Sequence, residues 1–137
     1  MATVNSNVIF DANCVNLKEI KPSLVRKEVN DLLVDGEVMV QCFFTVRDQV
    51  IFTNKRIFVV NVQGITGKKV SYMSYPYSKM VTYGIQTAGV LDFDSELVIT
   101  MQNGMHLQFD FVNYVDIKAI VSNIQNILCN SYKNQFK

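Results

Sequence analysis

The fold is decided between Arg47 and Tyr75, where the sequence reads RDQVIFTNKRIFVVNVQGITGKKVSYMSY. Three apolar runs, VIFT, IFVV and VSYMSY, are separated here by two polar segments, NKR and QGITGKK. Runs of β-branched and aromatic residues bounded by Asn and Gly are typical of strands and turns. The stretch therefore predicts three successive strands, and we expect Asn54 to adopt the positive φ that a two-residue turn needs.

Further strands are predicted on both sides of this stretch. From residue 37 to 46 the hydrophobicity alternates, and the apolar face would carry Val38, Val40, Cys42, Phe44 and Val46. Phe43 makes the second face partly apolar, which indicates cover on both sides. Pro76 interrupts the fourth strand and predicts a bend into a second sheet, with strands near residues 79–86, 96–101 and 105–111. Asn103-Gly104 joins the last two as a hairpin turn.

Two segments have helical spacing instead. Residues 22–34 begin with Pro22 and end before Asp35-Gly36, which are typical start and stop residues of a helix. Residues 117–128 carry one continuous apolar stripe, and Asn113 is the expected N-cap of this helix. The order is mainly β (α+β): a helix, seven antiparallel strands in two packed sheets, and a C-terminal helix that caps the open end of the barrel. The domain is expected at residues 22–130, after an N-terminal arm (1–21) and before a frayed tail (131–137).

Composition excludes several classes of protein. The 137 residues are 49% hydrophobic and carry a formal net charge of +1, so neither disorder nor general attraction to nucleic acid is expected. No secretory signal or membrane-spanning run is found. The three cysteines, Cys14, Cys42 and Cys129, are widely spaced and form no metal-ligand pattern. We therefore expect reduced thiols, a cytoplasmic location, no metal and no cofactor, with Cys42 as a small core residue.

Three stretches resemble the bacterial pleckstrin-homology (PH) domain family: LLVDGE at residues 32–37, RDQVIFTNKRIFVVNVQGITGKKVSY at 47–72, and YGIQTAGVLDFDSELVIT at 83–100. The resemblance covers about residues 20–130 and implies the PH-like open barrel. It also implies a non-enzymatic module that forms ring-like homo-oligomers. Eukaryotic PH domains that bind phosphoinositides have several Lys and Arg residues around the first hairpin loop. The corresponding loop, residues 46–49, has Arg47 beside Asp48, which argues against phosphoinositide binding.

The glycine- and lysine-rich segment at residues 64–69 is the main candidate site. It lacks the spacing of a P-loop and is followed by a strand, which excludes a nucleotide-hydrolysis site of that kind. It is interpreted first as an ordinary hairpin loop with solvated charges. Alternatively, because the first and third turns lie at the same end of the sheet, Arg47, Lys68 and Lys69 converge to bind a small anion, such as a headgroup, a nucleotide or an acidic peptide.

Other candidates are weaker. Tyr72, Tyr75, Tyr77 and Tyr83 cluster around the fourth and fifth strands, where they serve either core packing or a protein interface. Lys55-Arg56 is interpreted as a turn with solvated charges, and His106 as a surface residue. The acidic segment at residues 92–96 lacks the ligand count of an EF-hand loop, so calcium binding is not expected. No catalytic constellation is found, and self-association is the function expected first.

Overall fold

The computed structural model describes residues 13–87, 95–112 and 122–129. The strands are β1 (Asn13–Ile20), β2 (Met39–Thr45), β3 (Asp48–Thr53), β4 (Arg56–Gln63), β5 (Lys69–Pro76), β6 (Met80–Thr87), β7 (Ser95–Met101) and β8 (His106–Phe111). The helical segments are two 3-10 turns (Pro22–Leu24 and Tyr77–Lys79), the short helix α1 (Lys27–Leu32) and helix α2 over residues 122–129. The prediction of a mainly β, PH-like fold with a C-terminal helix is confirmed, although the strand count was one too low.

The strands form one continuous sheet in the order β5-β4-β3-β2-β1-β8-β7-β6, rather than seven strands divided between two packed sheets. β1 lies in the middle, antiparallel to β2 and parallel to β8. It thereby joins the two halves of the sheet. The interpretation of residues 13–20 as part of an N-terminal arm is therefore wrong, whereas residues 1–12 and 131–137 lie outside the described part of the chain.

A bulge explains why β1 was missed. The pairing of β1 with β8 shifts between Cys14 and Leu17, and Asn16 within that step has a φ of 58°. Both Cys14 and Leu17 therefore point into the core although they are three positions apart. The extra residue of a bulge removes the period of two that identifies a strand in a sequence.

The β2–β3–β4 half of the sheet is covered on both faces. Its inner face carries Phe43, Phe52 and Val59 into the main core, where Ile124 and Leu128 of α2 also pack. Its outer face carries a second cluster that the N-terminal helical segment covers, with Cys42, Ile51, Phe58 and Val60 against Val25 and Val29. Cover on both sides of β2 is confirmed, but the assignment of its strongly apolar face is wrong. Phe43 faces the main core, whereas Val38, Val40 and Val46 are exposed.

The N-terminal helical segment is broken by a contact from the sheet. A continuous helix over 22–34 was predicted, but Val25 is extended between the 3-10 turn and α1. The Gln49 side chain binds both sides of this break. Its Oε1 accepts from Arg26 N at 3.0 Å, and its Nε2 donates to Leu24 O at 3.2 Å. The start of α1 is therefore fixed by the Gln49 side chain from β3, more than twenty residues away in sequence.

A buried ion pair joins this segment to the β3–β4 hairpin. The Glu37 side chain has no exposed area, and its two oxygens accept from Arg56 Nε at 2.9 Å and Arg56 Nη2 at 2.8 Å. Thr53 Oγ1 donates to the same carboxylate at 2.7 Å, and Val34 N donates at 3.0 Å. Arg56 also donates to Leu32 O at 2.6 Å and lies over the ring of Phe58. The prediction that Arg56 is a solvated turn residue is therefore wrong.

The turn between β3 and β4 is held by side chains instead of a left-handed residue. Asn54 does not have a positive φ, contrary to the prediction. Its Oδ1 accepts from Val38 N at 2.8 Å and its Nδ2 donates to Gly36 O at 3.0 Å. Thr53 Oγ1 accepts from the backbone N–H groups of Lys55 and Arg56, both at 3.0 Å. These bonds connect the turn to the segment that contains Glu37.

Replacing Arg56 with Ala should destabilise the domain strongly, because it leaves the Glu37 carboxylate buried without its cation. Removal of one partner from a buried pair costs about 3–5 kcal/mol, and we expect a loss near the lower value. Urea denaturation measures it. Lys55→Ala is the matched control, since Lys55 is exposed in the same turn and its replacement should change the free energy of unfolding little. Equal effects of the two substitutions would contradict the assigned role of Arg56.

Glu37 should also make stability depend on pH at the acid end. Burial raises the pKa of its carboxyl, but the hydrogen bonds from Arg56 and Thr53 lower it by more, so the folded-state pKa lies below the usual 4.5. A carboxyl with a depressed pKa contributes stability above its unfolded-state pKa and loses it as the pH falls through the folded-state value. The Tm of the wild type should therefore fall more steeply than that of Glu37→Gln as the pH is lowered from 6 to about 3. Parallel curves would disprove this contribution.

Candidate binding surface

One end of the sheet brings together the β2–β3 turn (Val46 and Arg47) and the β4–β5 loop (residues 64–68). Gly64 and Gly67 have φ values of 78° and 67°, a region that glycine adopts without steric cost. Arg47 Nη2 donates to Gly64 O at 2.6 Å, and a Cβ added at Gly67 would lie 3.2 Å from the same nitrogen. The two connections are therefore fixed to each other by the Arg47 side chain. We call them the loop end.

The structure places Arg47 and Lys68 at the loop end and Lys69 directly after it, at the start of β5. All three are exposed, and Arg47 already donates one hydrogen bond to a carbonyl. The carboxylate of Asp48, the residue after Arg47, accepts from Val62 N at 2.9 Å and from Asn61 Nδ2 at 3.1 Å, so it is held against β4. The arrangement is an open basic surface rather than an enclosed anion pocket, and its binding role stays a prediction.

The four tyrosines divide into two pairs. Tyr75 and Tyr77 are buried in the main core, and the Tyr77 hydroxyl donates to Thr53 O at 2.6 Å. Core packing therefore accounts for these two, which offer no surface to a partner. Tyr72 and Tyr83 are partly exposed: the Tyr72 hydroxyl accepts from Arg26 Nε at 3.2 Å, and the Tyr83 hydroxyl lies 2.9 Å from Cys129 Sγ. For these two an interface role remains a prediction.

His106 on β8 and Cys42 on β2 are described residues of types that commonly carry chemistry. His106 is exposed, with its Nδ1 3.2 Å from Thr100 Oγ1. Within the described ranges no group of His, Cys, Asp and Glu residues has the arrangement of a metal site. Cys42 is a buried core residue as predicted, and burial raises the pKa of its thiol to about 11, which makes it a poor nucleophile. Most of the acidic segment at 92–96, and with it the calcium question, lies outside the described residues.

A surface cleft that the sequence analysis did not identify has a volume of about 410 Å³. It lies between the C-terminal half of β5, the second 3-10 turn and the β7–β8 hairpin. Its lining includes Met73, Lys79, Met101, Asn103 and Met105. No local pattern relates these positions, because three separate segments meet only in the folded sheet. In the part of the chain that is described, no helix is long and apolar enough to cross a membrane.

Comparison with known proteins agrees with this geometry. The family model for the bacterial PH domain matches residues 8–128. Two uncharacterized Bacillus subtilis (strain 168) proteins are similar in sequence: YjqA is 40% identical over 84 residues (61% of this chain and 67% of YjqA), and YozO is 30% identical over 103 residues (75% of this chain and 89% of YozO).

Solved structures support the same assignment. A DUF1696 family protein with a pleckstrin-homology domain from Shewanella loihica PV-4 superposes with a TM-score of 0.73 and 31% identity, covering 83% of this chain and 98% of its own. A pleckstrin homology domain from Shewanella amazonensis SB2B gives a TM-score of 0.61 and 32% identity, covering 80% and 89%. The family match spans most of the sequence and agrees with the sheet and C-terminal helix described above. This chain belongs to the bacterial PH domain family.

Proposed function

We propose that this chain is a non-enzymatic binding and scaffolding module that assembles with copies of itself through the free edges of its sheet. The PH-like fold supports a binding module in general. The observation that carries self-assembly is the composition of the edge strand β6, which reads MVTYGIQT and contains no charged residue. Ring formation, which the family resemblance implies, is part of this proposal.

An edge strand of a sheet can pair with a strand of another chain. Among the described residues, β5 and β6 each have a single strand neighbour in the sheet. Monomeric proteins usually protect such edges with charges, prolines or bulges. β5 ends in Pro76, and the pairing of β6 with β7 shifts between Met80 and Thr82. Beyond that shift β6 continues to Thr87 without a charged residue, and Val81, Thr82 and Gln86 are exposed. Pairing of edges between copies would extend the sheet, and a head-to-tail arrangement closes into a ring when the rotation allows it.

A non-enzymatic module is proposed because the PH-like fold supports a binding role, and among the described residues no group of His, Cys, Asp and Glu is arranged as a metal site. The alternative remains a small anionic ligand held by Arg47, Lys68 and Lys69 or between protomers. The hydrogen bond that fixes Arg47 to the 64–68 loop favours this alternative. It ranks after self-assembly because the three cations lie on an open surface. Cys42 and Cys129 are free thiols, which supports the proposed cytoplasmic location.

Val81→Lys should weaken assembly, since a lysine on a free edge disfavours pairing with another strand. Light scattering after size exclusion should give a wild-type mass that is a multiple of 15.6 kDa, and a shift toward 15.6 kDa for the variant. Val15→Lys is the matched control, because Val15 is similarly exposed (45% against 55% for Val81) but lies on β1, which has a strand on each side. A wild type that is monomeric at micromolar concentration would contradict the proposal, as would equal effects of both substitutions.

A further inference from the structure

The surface cleft between β5, the second 3-10 turn and the β7–β8 hairpin is rich in methionine. Met73, Met101 and Met105 are three of its nine lining residues, whereas the whole chain of 137 residues contains six methionines. Strand formation does not account for this concentration, since strands prefer β-branched and aromatic residues. Methionine is unbranched and flexible, and it is over-represented on surfaces that bind apolar partners of varied shape. We call this feature the methionine cleft.

The walls of the methionine cleft are fixed to one another by hydrogen bonds. Gln102 N donates to Lys79 O at 2.8 Å, which joins the β7–β8 hairpin to the second 3-10 turn. The same turn is held to β3 by the Tyr77 hydroxyl, which donates to Thr53 O at 2.6 Å. The cleft is therefore formed before any ligand binds, as is usual for small-molecule sites.

The apolar lining of the cleft is continuous with the main core. Tyr75 and Met101 belong to the buried cluster of the main core, and Met105 packs against that cluster. Met73, on β5, is 39% exposed. An apolar ligand in the cleft would remove this methionine surface from water, which is the main favourable term when apolar groups associate.

The polar part of the lining carries a single positive charge. Lys79 lines the cleft, and no Asp or Glu does. Lys79 is exposed and has no ion-pair partner among the described residues. The side-chain amides of Gln102 and Asn103 add hydrogen-bond donors to the lining. The cleft thus combines an apolar interior with one cation and neutral donors, which together suit one anionic group.

We propose that the methionine cleft binds a small amphipathic carboxylate, whose hydrocarbon body packs on Met73, Met101 and Met105 and whose carboxylate pairs with Lys79. The volume of about 410 Å³ lies in the lower part of the range of about 300–1,000 Å³ for ligand sites, so a short hydrocarbon chain fits. This site goes beyond the proposed self-assembly. It also differs from the alternative anion site at the loop end, which is an open basic surface.

Other kinds of ligand use fewer of these features. Thioethers also bind soft ions such as Cu(I), but a single cation would occupy a small part of the cleft and would be repelled by Lys79. A sugar phosphate would match the lysine but would bury its hydroxyl groups against methionine without hydrogen bonds, which is costly. An uncharged hydrocarbon would leave the ammonium group of Lys79 unused. A carboxylate with an apolar body uses both the methionines and the lysine.

Isothermal titration calorimetry of the wild-type protein with octanoate, 1-octanol and acetate tests this proposal. Octanoate should bind, and 1-octanol should bind about tenfold more weakly because it lacks the charge-assisted hydrogen bond to Lys79. Acetate, which has no apolar body, should give no measurable binding. Failure of octanoate to bind would overturn the proposal, as would acetate binding as tight as that of octanoate.

Lys79→Gln should weaken octanoate binding about tenfold and leave the binding of 1-octanol unchanged. Lys55→Gln is the matched control, because Lys55 is also an exposed lysine but lies in the β3–β4 turn and does not line the cleft. It should leave octanoate binding unchanged. Equal effects of the two substitutions would show that octanoate responds to overall charge and would refute a site at Lys79.

Met73→Gln keeps the length of the side chain but makes it polar, so it should weaken the binding of both octanoate and 1-octanol several-fold. Leu24→Gln is its control, because Leu24 is an exposed apolar residue on the first 3-10 turn, outside the cleft. Octanoate binding that is the same in Met73→Gln as in the wild type would contradict packing of the chain on the methionines. The mass of Lys79→Gln by light scattering should equal that of the wild type, so that lost octanoate binding is not a consequence of lost assembly.

Discussion

The carboxylate of Glu37 is buried, and the arrangement of three segments follows from how it is neutralised. Two donors from Arg56, the Thr53 hydroxyl and the Val34 amide all converge on it. Burying a charge is costly unless it is paired and its lone pairs are occupied, so the geometry cannot relax without a large penalty. The pair fixes the segment after α1 to the β3–β4 hairpin, and Arg56 Nη1 reaches Ser74 on β5 at 3.3 Å. Both partners lie in stretches that carried the family resemblance, LLVDGE and FTNKRI.

Local patterns predicted most of the sheet because the strands after residue 37 obey them. Their apolar runs are bounded by turn residues, and the hairpins follow in sequence order. The failures have long-range causes. The bulge at Asn16 hides β1, and a side chain from β3 interrupts the N-terminal helix at Val25. Arg56 looks solvated from its neighbours in sequence, and only the folded hairpin brings Glu37 to it. The hydrophobic periodicity of a single segment does not predict this contact between Arg56 and Glu37.

The candidate surface was likewise predicted only in part. Alternation of hairpin turns is a topological property, so it correctly placed Arg47 at the same end as the 64–68 loop. The order of the strands does not determine which tyrosines are buried. The β4–β5 hairpin has apolar residues on both faces, and the sequence alone does not say that Tyr75 faces the main core while Tyr72 packs beside the outer cluster. The residue types at the loop end are evident from the sequence, whereas the φ of Val46 is not.

Polar residues near the loop end make specific hydrogen bonds within the chain. Asp48 accepts from the Val62 amide, Gln49 binds both sides of the helix break, and Arg47 fixes the 64–68 loop. Against this background, two features give the isolated chain no benefit: a strained valine with its side chain in solvent, and a long uncharged edge strand. Sequences tend to be locally consistent with their fold except where function requires otherwise. Because the two features lie on different surfaces, one partner need not satisfy both. A sheet edge is completed by another strand, as the proposed self-assembly requires.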